Sequence, residues 1–272
     1  MTKAAKQLNI VQPALSRSIN SLEKELGVDL FDRNGRFIKL NDNGRSFLDT
    51  VNKTLNTLEN GKKILMDMND KECNEIKLLL LSGSDIVPDL IYQFKNLYPH
   101  ATFKLIQHAP EDIDSVDFDF CISTTLERVL DPCSITLLEE EILLGVSLNH
   151  PLSNKDCIFL EEVSNEDFIG FVRNKPFRDI SDKLCSYAGF TPNIVFESDV
   201  SSIVYGLIKA GVGIGFIPEV SWNKHKTNNV KLLHIVDPPC NRYLNLSWNK
   251  DSYLTNISKL FRDFSVDYYS KL

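Results

Sequence analysis

The sequence lacks a run of about 18 apolar residues, so nothing in it predicts a membrane-spanning helix. Its first residues, MTKAAKQLN, also lack the apolar core of a secretory signal peptide. We therefore expect a cytoplasmic protein. Internal repeats and low-complexity tracts are missing too. The chain has 272 residues, 43% hydrophobic and 25% charged, a composition typical of globular proteins and a length that allows two domains.

Patterns typical of metal sites and active sites are equally scarce. The six cysteines include no Cys-x-x-Cys pair and have no His at ligand spacing, so we expect small buried side chains. They are Cys73, Cys121, Cys133, Cys157, Cys185 and Cys240. The five histidines form no cluster, and no Ser/His/Asp order or carboxylate pair stands out. We expect no enzyme activity, no cofactor and no metal.

Charge is distributed unevenly along the chain. Residues 1–40 carry a net charge of +3, whereas the whole chain carries −7, which leaves −10 for residues 41–272. A basic segment in front of an acidic body suggests a nucleic-acid-binding module attached to a domain with another task.

The first 26 residues are expected to form two helices joined by a turn. The second helix is predicted over 12–26, with Pro13 in its first turn and Gly27 directly after its end. Its apolar residues repeat at close to 3.6 positions. The other face carries side chains that can contact base edges or phosphates, namely Gln12, Ser16, Arg17 and Asn20.

A β-hairpin is predicted directly after this helix. Two short strands are expected over 28–31 and 37–40, with Asn34-Gly35 as the tight turn between them. Arg33 and Arg36 flank that turn and are expected to contact phosphates. A hairpin beside two such helices is typical of a winged helix-turn-helix.

A long helix is predicted from Asn41 to about residue 70, with Asn41 or Asp42 as its N-cap. Its apolar residues form a narrow stripe at coiled-coil spacing, namely Val51, Leu55, Leu58 and Leu65. A stripe this narrow favours packing against a partner helix, whereas a helix lying on its own domain usually has a wider apolar face.

From Ile76 onward, strands and helices alternate, which predicts an α/β domain with a largely parallel sheet. Ligands bind such domains at the carboxyl ends of the strands. The candidate ligand-binding residues follow or end predicted strands or begin a helix. They are Ser82, Gly83, Ser84, Cys121, Ser123, Phe171, Val200 and Ser201.

The segment AAKQLNIVQPALSRSINSLEKELGVDLFDRNGRFIKLNDNGRSFL resembles the winged helix-turn-helix of LysR-type transcriptional regulators. The matching residues are Ala4-Ala5, Leu8, Gln12-Pro13-Ala14, Ser16, Ile19, Leu22-Glu23, Leu26-Gly27, Leu30-Phe31, Arg33, Leu40 and Gly44. The segments DFDFCI, NHPLS and YGLIKAGVGIGFIPE resemble parts of the effector domain of the same family.

The resemblance implies a winged helix-turn-helix at 1–41, a dimerisation helix at 42–71 and an effector domain at 75–272. The effector domain would resemble a periplasmic binding protein, with lobe I at 75–159 and 238–272 and lobe II at 160–237. The implied partners are promoter DNA, a small-molecule effector, and further copies in a homodimer or homotetramer. The effector would shift the population between two arrangements of the oligomer.

The resemblance also implies DNA contacts from Gln12, Pro13, Ser16, Arg17 and Asn20, supported by the two hairpin arginines. Three features depart from the family pattern, one of which is a shorter loop between strand and proline in LLLLSGSDIVP. The family has a further helix before Ala4, and Val11 replaces the usual capping Ser, a change that costs about 1 kcal/mol. Two alternatives stay open: a truncated regulator that acts through heterodimers without binding DNA, and a receptor that only binds small molecules.

Overall fold

The computed structural model describes residues 1–34, 37–68, 74–107, 116–222 and 229–271. It divides into two compact units, Met1–Lys62 and Lys63–Leu272. No helix in these described ranges is both long enough and apolar enough to cross a membrane.

The first unit contains two helices, a hairpin and most of a third helix. Its elements are α1 (Thr2–Gln7), α2 (Gln12–Leu26), β1 (Phe31–Asn34), β2 (Phe37–Leu40) and α3 (Asp42–Met68). As predicted, α2 has proline in its first turn and ends at Gly27, whose φ of +72° is a left-handed conformation open to glycine. The N-cap residue Val11 makes no side-chain capping bond.

The first strand of the hairpin was predicted three residues too early. It begins at Phe31 because the Glu23 carboxylate accepts the N–H groups of Leu30 (2.9 Å) and Phe31 (3.3 Å) and holds the preceding residues as a connection. Asn34 pairs with Phe37 as a strand residue, not a turn residue. Gly35 and Arg36 lie outside the described residues.

Helix α3 starts where the sequence predicts a cap. The Oδ1 atom of Asn41 accepts the N–H of Gly44 at 2.8 Å, and Asn41 Nδ2 donates to the carbonyl of Asp29 at 2.9 Å. This cap therefore ties the start of α3 to the loop in front of the hairpin. A Cβ on Gly44 would lie 2.1 Å from the backbone oxygen of Leu30, so the approach of these segments requires glycine.

The second unit is an α/β structure with two lobes. Its strands are β3 (Glu75–Leu80), β4 (Thr102–Ile106), β5 (Phe120–Thr125), β6 (Ser134–Ser147), β7 (Cys157–Ile158), β8 (Asp167–Phe171), β9 (Asn193–Ser198), β10 (Gly215–Pro218), β11 (Val230–Ile235) and β12 (Asn241–Ser247). Its helices are α4 (Val87–Leu97), α5 (Pro176–Tyr187), α6 (Ser201–Lys209) and α7 (Asn256–Tyr269).

The expectation of a largely parallel sheet was wrong. The strand order is β4-β3-β5-β12-β6-β11-β7, with β10 also paired to β6 and a separate β8-β9 pair. Strand β3 is parallel to β4 and β5, but β12 is antiparallel to both β5 and β6, and β10 and β11 are antiparallel to β6. The physical reason is that β6 and β12 carry the chain between the lobes in opposite directions.

Each lobe has its own apolar core. In the first core, Phe94, Phe120 and Phe261 are fully buried, and the rings of Phe94 and Phe261 meet edge to face at 5.2 Å. The second core begins with Ile142, halfway along β6. Packing thus places residues from Ile142 to Ile158 in the second core, although the resemblance had assigned them to lobe I.

Candidate nucleic-acid surface and candidate ligand cavity

Helix α2 presents its predicted DNA-contacting residues at its first two turns. Gln12, Pro13 and Arg17 are exposed, and Ser16 and Asn20 are half-buried. The Nε atom of Arg17 donates to the Pro13 carbonyl at 3.3 Å, a long bond on an exposed surface that leaves the guanidinium able to reorient. The start of the helix can therefore offer amide, hydroxyl and guanidinium groups to a ligand.

Arg33, predicted as a phosphate contact, has partners inside the same unit. Its Nη2 atom lies 2.7 Å from Oδ1 of Asn20 and 2.7 Å from Oε2 of Glu23. Glu23 is 6% exposed and Arg33 is 51% exposed, so the ion pair reaches from the interior to the surface. The hairpin is thereby bound to the C-terminal half of α2. Arg36 lies outside the described residues.

The apolar stripe of α3 is open to solvent. Leu55 is 55% exposed, Leu58 is 60% exposed and Leu65 is 62% exposed. Exposed leucines at this spacing are typical of a helix that packs against another helix.

Residues 63–68, the last turns of α3, belong to the second unit and are held within it by two carboxylates. Lys63 Nζ lies 2.6 Å from Oδ1 of Asp119, a buried residue whose Oδ2 accepts the N–H of Lys77 at 2.8 Å. Asp67 Oδ2 accepts the hydroxyl of Tyr253 at 3.1 Å and the N–H of Asn256 at 3.2 Å. The end of the helix is therefore fixed to the lobe that contains β5 and α7.

A cavity of about 290 Å³ lies between the two lobes of the second unit. Six of the eight predicted ligand-binding residues line it, namely Ser82, Gly83, Ser84, Phe171, Val200 and Ser201. The structure does not bring Cys121 and Ser123 to this cavity. Both lie in β5 between two neighbouring strands, where Cys121 pairs with Ser247 and Ser123 with Asn245.

The inner wall of the cavity contains a buried ion pair that the sequence analysis missed. Arg242 donates from Nε to Oε1 of Glu140 at 2.8 Å, and its Nη2 lies 2.7 Å from the same oxygen. Glu140 Oε2 accepts the N–H groups of Val220 (2.8 Å) and Ser221 (2.7 Å). Burial lowers the pKa of Arg242, and the charges of Glu140 and Asp85 oppose that effect.

The cavity combines hydroxyl, charged and aromatic side chains. Ser201 Oγ donates to Oδ1 of Asp85 at 3.0 Å, and Lys175 also lines the cavity. The guanidinium carbon of Arg242 lies 4.6 Å from the centroid of the Phe177 ring. The ring of Phe171 meets the rings of Phe177 and Trp222 edge to face. Such a wall can bind a small molecule with one polar end and one apolar face.

Three helices begin at the cavity. The residues lining it include Ser84 and Asp85 just before α4, Lys175 at the N-cap of α5, and Val200 at the N-cap of α6. Helix N-termini carry partial positive charge and unpaired N–H groups, which favour an anionic ligand group. The helix starts and Lys175 therefore offer donors to an anionic ligand group, while the charge of Arg242 is balanced by Glu140 and the carboxylates of Asp85 and Asp199 line the same cavity.

Among the described residues, no group of three His, Cys, Asp or Glu side chains is placed to hold a metal ion. The cysteines, all predicted to be buried, differ in exposure. Cys121, Cys185 and Cys240 are buried, whereas Cys157 is exposed. That expectation was therefore wrong for Cys157, which lies in the short outer strand β7, and also for Cys133, which is half-buried. Cys73 lies outside the described residues.

Comparison with known families matches both units. The pattern described as "Bacterial regulatory helix-turn-helix protein, lysR family" matches residues 1–45, and the pattern described as "LysR substrate binding domain" matches residues 75–270. Two relatives from Bacillus subtilis are similar along nearly their whole length. The chain is 33% identical to the HTH-type transcriptional regulator YybE over 100% of this chain and 94% of that protein. It is 29% identical to the transcriptional dual regulator GltC over 95% and 89%.

Two solved structures are similar as well. The effector-binding domain of QuiR, in complex with shikimate, superposes with a TM-score of 0.60 and 28% identity, over 72% of this chain and 97% of that one. A full-length OxyR from Pseudomonas aeruginosa superposes with a TM-score of 0.65 over 98% of this chain and 88% of that one. Its identity of 18% makes the second likeness one of fold alone.

Proposed function

We propose specific roles for the surfaces of this chain, which belongs to the LysR family of bacterial transcriptional regulators. The protein is a DNA-binding transcriptional regulator with an effector-binding domain, and regulators of this family bind promoter DNA and small-molecule effectors. We assign the DNA-binding part to residues 1–41, the dimerisation helix to 42–71 and effector binding to 75–272. Because its target is promoter DNA, the proposed place of action is the cytoplasm, and the proposed activity is regulation rather than catalysis.

The proposed reading element is the part of α2 from Gln12 to Asn20. Gln12 and Asn20 would contact base edges, Arg17 would contact guanine or phosphate, and Ser16 would contact phosphate. The exposure of Gln12, Pro13 and Arg17 at the start of an amphipathic helix supports this assignment. Arg36 is proposed as a phosphate contact on its sequence position alone.

Fluorescence anisotropy with the full chain tests this role. The probes are the intergenic duplex beside the gene and a shuffled duplex of equal composition, measured across a salt series. We expect tighter binding to the intergenic duplex, and the variant Arg17→Gln should bind at least about tenfold more weakly, since a bidentate base contact is worth roughly 1–3 kcal/mol. Lys209→Gln in α6 is the charge-matched control. Equal affinity for both duplexes would contradict the proposal.

The proposed effector is a small carboxylic acid that carries hydroxyl groups. The cavity supports this through the start of α6, the buried Arg242 and the hydroxyls of Ser82, Ser84 and Ser201, which together can bind a carboxylate and ring hydroxyls. The likeness to a domain that binds shikimate, a hydroxylated ring acid, supports the same class.

Isothermal titration of the full chain tests the effector class. The probes are shikimate, benzoate and the uncharged polyol glycerol. We expect heat from at least one carboxylate and none from glycerol. Ser201→Ala should weaken binding by roughly fivefold to tenfold, the effect of one lost hydrogen bond, while Ser186→Ala, on the far part of α5, should leave it unchanged. Binding of glycerol but neither acid would contradict the carboxylate assignment.

The proposed assembly is a homodimer formed through α3. Two such dimers would associate through the effector domains into a homotetramer. The exposed stripe on α3 supports the dimer, because exposed leucines at this spacing gain free energy when a second copy covers them. Leu58→Asp should lower the mass measured by light scattering, whereas Leu130→Asp, at a residue 95% exposed in the second unit, should not. Effector binding would then favour one arrangement of the oligomer.

A further inference from the structure

The amide of Asn20 has a fixed orientation relative to Arg33. A guanidinium group only donates hydrogen bonds, so the atom of Asn20 that lies 2.7 Å from Arg33 Nη2 must be its oxygen. The usual ambiguity between the oxygen and nitrogen of an asparagine side chain is thus resolved by the chemistry of its partner. The amide nitrogen of Asn20 is left as the group directed elsewhere.

Arg33 is itself held by a buried carboxylate. Glu23 is 6% exposed and accepts the N–H groups of Leu30 and Phe31 through Oε1, while its Oε2 lies 2.7 Å from Arg33 Nη2. The carboxylate cannot rotate without losing backbone bonds that fix the start of β1. The guanidinium therefore has a defined position, and its charge is matched by a negative charge beside it.

From this chain of contacts we infer that Asn20 is a specificity-determining residue that contacts DNA through its amide nitrogen, and that Arg33 is its positioning residue rather than a phosphate contact. This inference rests on the proposed placement of α2 against base edges. A bidentate contact with adenine needs both the oxygen and the nitrogen of an asparagine amide. Because Arg33 uses one of the oxygen's two lone pairs and holds that oxygen toward the hairpin, the amide nitrogen is the group that meets a base. Asn20 therefore suits guanine, whose major-groove edge presents two acceptors, N7 and O6.

The experiment is selection of bound sequences from a randomised duplex pool by the full chain. Wild type, Arg33→Gln and Lys39→Gln are compared. Lys39 is exposed on the other strand of the same hairpin, so its variant removes the same charge without touching Asn20. We expect the wild type to prefer guanine at one position, and Arg33→Gln to shift that single preference toward adenine by about tenfold. The Lys39 variant should keep the wild-type preference.

Salt dependence of binding to the selected sequence distinguishes positioning from phosphate contact. The slope of log K against log salt is negative, and each lost phosphate contact reduces its magnitude by about 0.9. We expect Arg33→Gln to leave this slope unchanged. A slope reduced by about 0.9 with the guanine preference intact would overturn the inference and make Arg33 a phosphate contact.

A second variant protects the test against misfolding. Glu23→Gln with Arg33→Gln keeps an oxygen for the N–H groups of Leu30 and Phe31 and buries no unpaired charge. It should also lose the guanine preference while its circular dichroism stays that of the wild type. If the wild type enriches no sequence at all, the DNA-reading role and this inference fail together, whereas an enriched motif unchanged in both variants overturns the inference alone.

Discussion

Among the described side chains of residues 1–62, the buried apolar ones are Ala5 and Leu30, whereas residues 63–271 contain three clusters of buried apolar side chains. The first unit also exposes apolar side chains beside its two short helices, including Leu8 (60%) and Val11 (68%). Its geometry depends instead on polar contacts, chiefly those of Glu23 and Asn41, and on one close backbone approach at Gly44.

The comparison suggests that the two units respond differently to mutation. In the second unit, apolar burial supplies most of the stabilising free energy, and the most sensitive position is the ion pair buried between its lobes. In the first unit, few contacts hold α2 against the hairpin and the start of α3. The loss of one hydrogen bond of Glu23 or Asn41, or the replacement of Gly44, therefore removes a large part of them.

The largest effect is expected at Arg242. Arg242→Met leaves Glu140 buried without its cation and should lower the free energy of unfolding by about 3–5 kcal/mol. Chemical denaturation followed by tryptophan fluorescence measures this effect in the second unit, because both tryptophans, Trp222 and Trp248, lie there.

Two further variants sharpen this test. Glu140→Gln combined with Arg242→Met removes both charges and should restore much of the stability. Arg128→Gln removes an exposed ion pair with Glu139 and should cost less than about 1 kcal/mol. Equal losses from Arg242→Met and Arg128→Gln would show that burial does not determine the contribution of these pairs.

The next largest effect is expected in the first unit, at Gly44. Gly44→Ala places a Cβ 2.1 Å from the Leu30 carbonyl and should destabilise this unit by about 2 kcal/mol or more. Gly61→Ala, in the same helix with open space around it, should instead stabilise by up to about 1 kcal/mol. Hydrogen exchange of the amides in residues 12–45 measures both changes. Faster exchange in Gly61→Ala than in Gly44→Ala would refute the steric argument.

Part of this architecture could be predicted from local sequence. Helix α2 was predicted to the residue because Pro13 and Gly27 mark its two ends. The cap at Asn41 and the hydroxyls around the cavity could also be predicted, since both depend on short-range patterns and on the rule that ligands bind where strands end.

What could not be predicted depends on contacts between distant residues. Strand β1 begins late because the side chain of Glu23 binds its first N–H groups, a contact that no hydrophobic pattern records. The Arg242–Glu140 pair joins two strands about a hundred residues apart. The only local signal was charge within two largely buried strands, the three glutamates 139–141 in β6 and Arg242 in β12, which is costly unless buried charges are paired. This signal predicts an ion pair only when β6 and β12 are considered together, because a buried charge in one strand does not identify its partner.

A smaller effect is expected where α3 enters the second unit. Asp67→Ala removes the acceptor for the Tyr253 hydroxyl and the Asn256 N–H, and should cost about 1–2 kcal/mol. Asp49→Ala, earlier in the same helix, removes an exposed pair with Lys53 and should cost about 0.3–0.5 kcal/mol. Hydrogen exchange of the last two turns of α3 should be faster only in the first variant. Equal exchange in both would mean that the contacts of Asp67 do not hold this end of the helix.

The smallest effect on stability is expected from alkylation of the cysteines. The order in which they react should follow their exposure. Burial raises the pKa of Cys121 to about 11 and that of Cys240 to about 12. Because the thiolate is the reactive form, a raised pKa leaves these thiols protonated and slow to react at pH 8.

Among the cysteines that the structure describes, iodoacetamide at pH 8 should therefore label the exposed Cys157 first, and mass spectrometry of peptides from the native full chain measures the order. The modified protein should unfold within about 0.5 kcal/mol of the unmodified one, as expected for a change at an exposed surface residue. Cys157→Ser should abolish the early labelling and leave Cys121 and Cys240 protected until the second unit unfolds. Early labelling of Cys121 would mean that the sheet around β5 opens in the native state, and the contrast between the two units would then lose its basis.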